Sequence, residues 1–428
     1  MGEVFLGRYE AVDEVGHGGM ATVYRGIDRV LSRDVAIKVL HRHLCQRAEA
    51  RERFAREARI IAKLRHPNIV EVYDFSGEDQ ANAFIVTEYV DGRSLSEFLQ
   101  AHGPVLPEVA ALVIASVGDA LQHAHERGVI HRDVKPENIM VRQDGVLKLM
   151  DFGIAHVVDM EQLTVTGAIV GSPAHMSPEQ VDGKALDART DIFSLGTLFY
   201  LTASSAFPFR GDTASAVLKA IVDARPPDIR TLCHPFPDDL HAILTRMMAR
   251  DPAERFASAR EVVDALQTVT HATGLGSWGD ELPRFLSQPA AYVETARTRV
   301  AEARLVQGRQ QIRSGQLAAA IRTLDGVLAL APDHPDAART LERARNSLRR
   351  RRLSWTAILL ALAVIIVAGM AVGLYHWLPT MTQNPPASEI PAEPSDPPAE
   401  IALRPPFADT ILQPRRSMAV MASPHVRP

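Results

Sequence analysis

HRDVKPEN at residues 131–138 and DFG at residues 151–153 are the most specific motifs of this chain. Between them they hold two aspartates, an asparagine and a lysine, namely Asp133, Asp151, Asn138 and Lys135. Short apolar runs typical of strands lie upstream of these motifs, whereas long helical patterns dominate from Pro107 onward. The pattern predicts a strand-rich region followed by a helix-rich one.

A glycine-rich stretch, VGHGGMATV, lies between apolar residues of strand type. Because glycine has no Cβ, Gly16, Gly18 and Gly19 let amide N–H groups approach phosphate oxygens in a β-turn lid. An ordinary tight hairpin is the commoner explanation when the stretch is taken alone. No Gly-Lys-Ser/Thr follows, so this is not a Walker loop. The predicted phosphate lid consists of Val15, Gly16, His17, Gly18, Gly19, Met20, Ala21, Thr22 and Val23.

A lysine, Lys38, lies within an apolar run from Val35 to Leu40. A lysine on a strand usually points to solvent. Beside a phosphate lid, however, Lys38 supplies a cation for the α- and β-phosphates, and Glu57 could hold it as an ion pair. Glu57 is the glutamate most nearly aligned with the apolar side of the next helical run, although a surface charge is the alternative. We therefore predict a Lys38–Glu57 pair.

Together and in this order, the motifs resemble those of the protein kinase superfamily over roughly Tyr9 to Thr270. The Gly-Gly-Met lid and the Ser-Pro-Glu-Gln run that begins at Ser177 are similar to bacterial eukaryotic-like (Hanks-type) serine/threonine kinases. The resemblance implies an α+β, bilobal protein-kinase fold with a small β-rich N-lobe and a large helical C-lobe. It also implies ATP-dependent phosphorylation of serine and threonine in proteins. Ala21 departs from the usual third glycine, but it is small enough to keep most of the clearance.

The resemblance assigns roles to the residues of the two most specific motifs. Asp133 would orient the hydroxyl nucleophile and take its proton. Divalent cations, Mg²⁺ or Mn²⁺, need hard oxygen ligands, which Asp151 and Asn138 would provide. Lys135 is the residue type seen in kinases that modify serine and threonine, and it would neutralise charge on the moving phosphoryl group. Asp133, Lys135 and Asn138 are the predicted catalytic residues.

The resemblance also implies an adenine site. The backbone of the hinge from Glu88 to Val90 would contact the adenine edge, with Thr87 at the back of the pocket. Val23, Ala36 and Met140 would enclose the ring. Simple core packing of these residues is compatible with that role, because adenine occupies an apolar slot.

GSPAHMSPE, which ends at Glu179, resembles the end of a kinase activation segment. By the same resemblance, Glu179 would pair with Arg255, and Asp191 would tie the catalytic loop to its helix. These two roles are structural rather than catalytic.

Thr164 and Thr166 are predicted autophosphorylation sites within the activation segment. A phosphate there would bring about two negative charges close to Arg132 and order the loop. Two unmodified loop hydroxyls are the alternative.

The segment from Trp355 to Tyr375 contains no charged residue. As a helix it would extend roughly 30 Å, the thickness of a bilayer's hydrocarbon core. A buried helix of a large domain is the alternative. Arginines 349–352 precede the segment and no Lys or Arg follows it up to Pro386, so its N-terminal side should be cytoplasmic. We predict a transmembrane helix over 354–378 in the inner membrane, with the arginines against membrane lipid.

The remaining boundaries follow from changes in composition. We predict a kinase domain at 9–270, a linker at 271–293, a helical juxtamembrane region at 294–350 and a Pro-rich extracytoplasmic tail at 379–428. The juxtamembrane region resembles one tetratricopeptide unit, but a simple helical hairpin fits equally well. The tail has too little apolar material to form a core, so we expect it to be disordered.

Overall charge and cysteine content exclude some classes of partner. The net charge of -4 gives no global basic field, so nucleic acid is not predicted as a partner. Cys45 and Cys233 are far apart and lack the spacing of a zinc cluster. Protein substrates, and a kinase-domain homodimer for autophosphorylation in trans, are the predicted partners. The rival functions are a pseudokinase scaffold, a receptor that senses ligands through its tail, and a small-molecule kinase, which usually lacks an activation segment.

Overall fold

The computed structural model describes the backbone of residues 3–18, 21–41, 55, 58–76, 83–152 and 173–377. Within the last of these ranges, the side chains of 351–359 and 376–377 lie outside the description.

Six strands near the N-terminus form one antiparallel sheet with the order β1-β2-β3-β4-β6-β5. The strands are β1 (Val4–Phe5), β2 (Tyr9–His17), β3 (Ala21–Asp28), β4 (Arg33–Leu40), β5 (Val72–Phe75) and β6 (Phe84–Glu88). Successive strand residues point to opposite faces, so the buried Val35 and Ile37 of β4 lie on one face of the sheet and Ala36 and Lys38 on the other. The first face packs with Phe5, Tyr9 and Phe84 into the core of the N-lobe.

The C-lobe is helical and carries one small sheet. The sheet contains β7 (Gly92–Ser94), β8 (Ile139–Arg142) and β9 (Leu147–Leu149) in that order. The helices are α1 (Leu95–His102), α2 (Pro107–His125), α3 (Pro178–Val181), α4 (Ala188–Ser204), α5 (Ala214–Asp223), α6 (Asp238–Met247) and α7 (Ala259–Ala272). Short 3₁₀ turns lie at Pro136–Asn138, Pro173–His175, Ile229–Thr231 and Pro252–Glu254.

Local sequence explains where these helices begin. Ser94 and Glu97 form a reciprocal capping box at the start of α1, and Ser177 and Gln180 do the same for α3. Helix α2 is apolar on nearly every side and is buried along most of its length, because α4, α7 and later helices cover it. A β-rich N-lobe and a helical C-lobe were predicted from the motif resemblance, and the structure confirms both.

The segment predicted to be a linker, 271–293, is largely helical instead. Helix α8 (Trp278–Ser287) lies within it, and α9 (Pro289–Arg313) begins there. Leu282, Phe285 and Leu286 are buried in the same cluster as the C-lobe core. Burial of the apolar face of α8 outweighs the cost of its internal proline, Pro283.

Two more helices follow, α10 (Leu317–Leu330) and α11 (Pro335–Trp377). A small core of their own joins α9, α10 and the first part of α11, and Leu305, Leu324, Val327 and Leu341 are buried in it. Helices occupy the region predicted as 294–350, although α9 begins before it. Their tetratricopeptide character stays a prediction.

Helix α11 continues into the apolar segment near the C-terminus. Among the residues that the structure describes, no helix is both long and apolar enough to cross a bilayer. The predicted span over 354–378 and the predicted tail over 379–428 lie partly or wholly outside the described side chains and stay predictions.

Candidate active site

The predicted catalytic residues converge on one carboxylate. The Nζ of Lys135 and the Nδ2 of Asn138 each donate to Asp133 Oδ2 at 2.8 Å. Asn138 also donates to the backbone carbonyl of Asp133 at 2.8 Å, which fixes the loop around it. Burial opposes ionisation of Asp133, but Lys135 and the hydrogen bonds outweigh it, so the pKa of this carboxyl lies below its usual value. Asp133 is therefore held as an oriented carboxylate.

Asp191 of α4 fixes the backbone of the catalytic loop at His131 and Arg132. Its buried carboxylate accepts hydrogen bonds from the amides of His131 and Arg132, each at 2.8 Å. His125 contributes a third contact to the same carboxylate at 2.7 Å. Arg132 has a φ of 68°, a left-handed conformation that costs energy in a non-glycine residue and needs support of this kind. The predicted role of Asp191 is confirmed.

His131 connects the two motifs. Its Nε2 lies 2.9 Å from the carbonyl oxygen of Met150, and its Nδ1 accepts from the amide of Asp133 at 3.2 Å. These partners fit a neutral ring that carries its proton on Nε2. Burial lowers the pKa of His131, and the ring also packs on Phe152 with centroids 4.5 Å apart. The imidazole therefore lies between the catalytic loop and Phe152, and it contacts both.

Lys38 and Asp151 meet across the site. Lys38 Nζ donates to Asp151 Oδ1 at 2.6 Å, although the two residues are far apart in sequence. Asp151 has a φ of 59°, so its backbone is strained as well. The predicted partner of Lys38, Glu57, lies outside the described residues, and that pair stays a prediction. The structure adds an ion pair that the sequence reading did not foresee.

The donor set fits a hard divalent cation such as Mg²⁺. Asp151 offers carboxylate oxygens, and the two bonds from Nδ2 of Asn138 leave the Oδ1 end of that amide available as a ligand. Both residues are thus suited to the metal role predicted for them.

The glycine-rich stretch forms the turn between β2 and β3 at the edge of the site. Strands β2 and β3 pair up to His17 and Thr22, and the Gly18 amide donates to the carbonyl of Ala21 at 3.0 Å. The side chain of Val15 is half exposed, and the Thr22 hydroxyl lies 3.3 Å from His17 Nδ1. This turn geometry fits a phosphate lid and an ordinary hairpin equally well, so the lid role stays a prediction. Gly19 and Met20 lie outside the described residues.

The residues predicted to enclose adenine share one face of the N-lobe sheet. Val23 pairs with Lys38, and Ala36 pairs with Thr87, so all four side chains point the same way. Met140 on β8 belongs to the C-lobe sheet and is half-buried. This face differs from the one that packs the N-lobe core, which leaves Val23 and Ala36 available to a ligand.

The side chain of Glu88 in the hinge is anchored. Lys148 Nζ donates to Glu88 Oε2 at 2.8 Å, and Arg142 lies 3.4 Å from Oε1. Sequence reasoning missed both cations, although Lys148 is flanked by the buried Leu147 and Leu149 on a strand that leads to DFG. An inward-facing lysine in that pattern is a usable signal for a buried acidic partner.

The end of the activation segment is tied to the C-lobe by a buried ion pair. Arg255 donates to both carboxylate oxygens of Glu179, at 2.6 and 2.8 Å. Burial opposes ionisation of Glu179, yet Arg255 outweighs it and holds the pKa of this carboxyl below its usual value. The predicted Glu179–Arg255 pair is confirmed. Nearby, burial lowers the pKa of His175 to about 4, so this ring is neutral at pH 7.

Four further predicted residues lie outside the described residues: Gly153, Thr164, Thr166 and Ser172. Arg132, which was predicted to meet a phosphate there, has a buried Nε with no hydrogen-bond partner within the described parts of the chain.

Comparison with known proteins is consistent with this geometry. A family model described as "Protein kinase domain" matches residues 9–267. Serine/threonine-protein kinase PrkC of Bacillus subtilis is 34% identical over 275 residues, which are 64% of this chain and 42% of PrkC. Serine/threonine-protein kinase PknB of Mycobacterium leprae is 40% identical over 262 residues, which are 60% of this chain and 42% of PknB. The chain thus spans about two fifths of the length of these relatives.

Solved structures give the same result. A mutant form of the Mycobacterium tuberculosis PknI kinase domain matches with a TM-score of 0.51 and 30% identity. The match covers 63% of this chain and 98% of that domain.

Proposed function

This chain belongs to the protein kinase family, and from that premise we propose that it transfers the γ-phosphate of ATP to serine and threonine hydroxyls of proteins. The observation that carries the proposal is the Asp133 carboxylate, bonded to Lys135 and Asn138, in a site that also holds the Lys38–Asp151 pair. The named relatives are serine/threonine-protein kinases, which supports the substrate class.

The residues of the site divide the work of phosphoryl transfer. Asp133 orients the acceptor hydroxyl and accepts its proton, because an ionised, fixed carboxylate is a ready acceptor. Lys135, bonded to the same carboxylate, brings positive charge to where the phosphoryl group moves. Lys38 offers a cation to the nucleotide phosphates. Asp151 and Asn138 would hold Mg²⁺ or Mn²⁺, which when bound neutralises charge on the phosphates.

A pseudokinase scaffold is disfavoured by this constellation. Such proteins usually lack the lysine, the catalytic aspartate or a metal ligand, and Lys38, Asp133, Asn138 and Asp151 are all present here. Incubation of the purified chain with radiolabelled ATP and casein tests the proposal directly. Absence of labelled casein at any metal concentration, with ADP binding intact, would favour the scaffold.

Autophosphorylation of Thr164 and Thr166 is the proposed switch. The buried Nε of Arg132, which has no hydrogen-bond partner among the described residues, supports it, because a guanidinium N–H without a partner is a suitable donor to phosphate. We expect replacement of both threonines by alanine to lower casein phosphorylation by about fivefold or more. The measurement is initial rate on purified protein, with Thr231→Ala, an exposed hydroxyl of the C-lobe, as control.

Equal rates for the double variant and the wild type would contradict this switch.

A kinase-domain homodimer would phosphorylate these threonines in trans, one chain acting on the other. Accordingly, the active chain should phosphorylate an Asp133→Asn chain on these threonines, with a rate that rises with total concentration.

Membrane attachment is proposed for the C-terminal part. Apolar side chains between Leu360 and Tyr375 are exposed by 53% to 74%, in the part of α11 that follows the arginine run. Apolar surface of this kind is stable in lipid, and the arginines suit anionic headgroups on the cytoplasmic side. We expect the full chain to stay in the membrane pellet after carbonate extraction. Release of the chain into the carbonate supernatant would contradict the proposal.

A further inference from the structure

We propose that helices α8 and α9, residues 278–313, form an intramolecular brace that sets nucleotide affinity by fixing the hinge at Glu88 to Val90. The brace contacts the turn between β8 and β9, residues 143–146. Gln143 of this turn bonds Asp91, just after the hinge, and Arg142, the last residue of β8, contacts Glu88 at the start of the hinge. The inference rests on the proposed function, since it concerns binding of the adenine nucleotide at that hinge.

The closest approach lies between Gly145 and Pro283 of α8. A Cβ placed on Gly145 would lie 2.5 Å from Pro283 Cα and 2.8 Å from its carbonyl oxygen. No flexible side chain could absorb that clash, because both atoms belong to the backbone. Gly145 also has a φ of 81°. Glycine is therefore required twice, for the shape of the turn and for its seating against α8.

The brace is fastened to the C-lobe at two more points. Arg304 of α9 forms a buried ion pair with Glu108 of α2, and the two side chains are 6% and 0% exposed. Phe285 of α8 lies between Phe98 of α1 and Tyr292 of α9, with ring centroids 5.5 and 5.7 Å apart. A buried charge pair tolerates little separation, because parting it leaves a desolvated charge without a partner.

Glu281 makes α8 and α9 one rigid unit. Its carboxylate receives two bonds from Arg299, at 2.8 and 2.9 Å, and one from the Tyr292 hydroxyl at 2.6 Å. The amide of Gly276 donates a fourth, at 3.0 Å. The side chain of Glu281 is 4% exposed. This network fixes the position of Pro283, two residues further on.

The turn passes the contact on to the hinge along two routes. Gln143 forms two hydrogen bonds with Asp91, the residue after the hinge. Its backbone amide donates to the carbonyl oxygen of Asp91 at 3.2 Å, and its side-chain amide donates to the Asp91 carboxylate at 2.9 Å. Arg142 lies 3.4 Å from the carboxylate of Glu88, the first hinge residue, and bonds Asp144 of the turn at 2.7 and 2.8 Å. Both ends of the hinge are thus connected to a turn that seats on α8.

The test uses the full chain and the affinity for ADP with Mg²⁺, measured by titration calorimetry. Gly145→Ala must move the turn away from Pro283, and we expect the Kd for ADP to rise about fivefold or more, the usual range for coupled sites. Gly103→Ala is the matched control. Gly103 also has a positive φ, 74°, but a Cβ there would meet nothing within 4 Å. The Gly103→Ala variant should therefore lower the stability of the protein without changing the Kd for ADP.

A second pair of variants covers the case in which Gly145→Ala does not fold. Glu281→Gln loosens α8 against α9 without touching the turn, and we expect a rise in the Kd for ADP of about twofold or more. Its control is Glu294→Gln, an exposed glutamate on α9 whose partner, Arg297, is also exposed. In both variants, the KM for ATP should change more than kcat, which a purely structural loss would not produce.

The outcomes separate the two proposals. Folded Gly145→Ala, or failing that folded Glu281→Gln, with a Kd equal to its control would overturn the brace alone. A wild-type chain that binds no ADP would overturn the proposed function together with the brace.

Discussion

Replacement of Asp133 by asparagine should lower phosphate transfer by about 10²- to 10⁴-fold, the range that a positioned proton acceptor usually contributes. Asparagine keeps the size of the side chain but cannot accept the proton of the acceptor hydroxyl. It also places a neutral amide against Lys135 and Asn138, which both donate to Oδ2 in the native site. The measurement is the initial rate of casein labelling at saturating ATP.

The control for this variant is Asp212→Asn, which removes an exposed carboxylate of the C-lobe. Its rate should match the wild type. ADP affinity and thermal stability of Asp133→Asn should stay close to native, because the nucleotide phosphates are expected at Lys38 and Asp151. A variant that keeps more than about a tenth of native turnover would remove Asp133 from the proton-accepting role.

Replacement of Arg255 by methionine should reduce the free energy of unfolding by about 3–5 kcal/mol, as expected when a buried ion pair loses one member. Glu179 would keep a desolvated charge, with Thr190 at 3.0 Å as the one side-chain donor left to it among the described residues. The carbonyls of Ala249, Arg189 and Arg250 would each lose a hydrogen bond from the guanidinium. Urea unfolding followed by tryptophan fluorescence measures the loss.

Lys184→Met is the matched control, because Lys184 forms an equally short pair with Asp182, at 2.7 Å, on the surface. An exposed pair of this kind contributes about 0–1 kcal/mol, so the control should be nearly as stable as the wild type. If the free energy of unfolding falls equally in the two variants, burial does not determine how much the Glu179–Arg255 pair contributes to stability. The double replacement Glu179→Leu and Arg255→Met should recover part of the loss, since it leaves no unpaired charge.

The catalytic loop could be predicted from sequence because its residues are constrained by chemistry. Asp133, Lys135 and Asn138 lie close together along the chain, so their convergence needs only a short turn. The pairing of Glu179 with Arg255 and the support from Asp191 bridge larger separations. They were foreseen only through resemblance to a known family, because residue spacing alone does not reveal such contacts.

Other features depend on tertiary packing that no local pattern encodes. Lys38 meets Asp151 and Lys148 meets Glu88, and each pair joins residues distant in sequence. Helix α8 was missed for a different reason. Its buried residues Leu282, Phe285 and Leu286 repeat with helical spacing, but 271–293 was assigned to a linker from composition without use of that signal.

The Arg304–Glu108 contact bears on how the protein should be cut for expression. A fragment that ends after α7 would match the family model, yet it would lose the only ionic partner described for Glu108 and uncover the apolar sides of α1 and α2. Such a fragment should aggregate more readily during purification, since fresh apolar surface promotes association. Recombinant boundaries are therefore better placed beyond Ala344, the last side chain of the helical extension that is buried among those the structure describes.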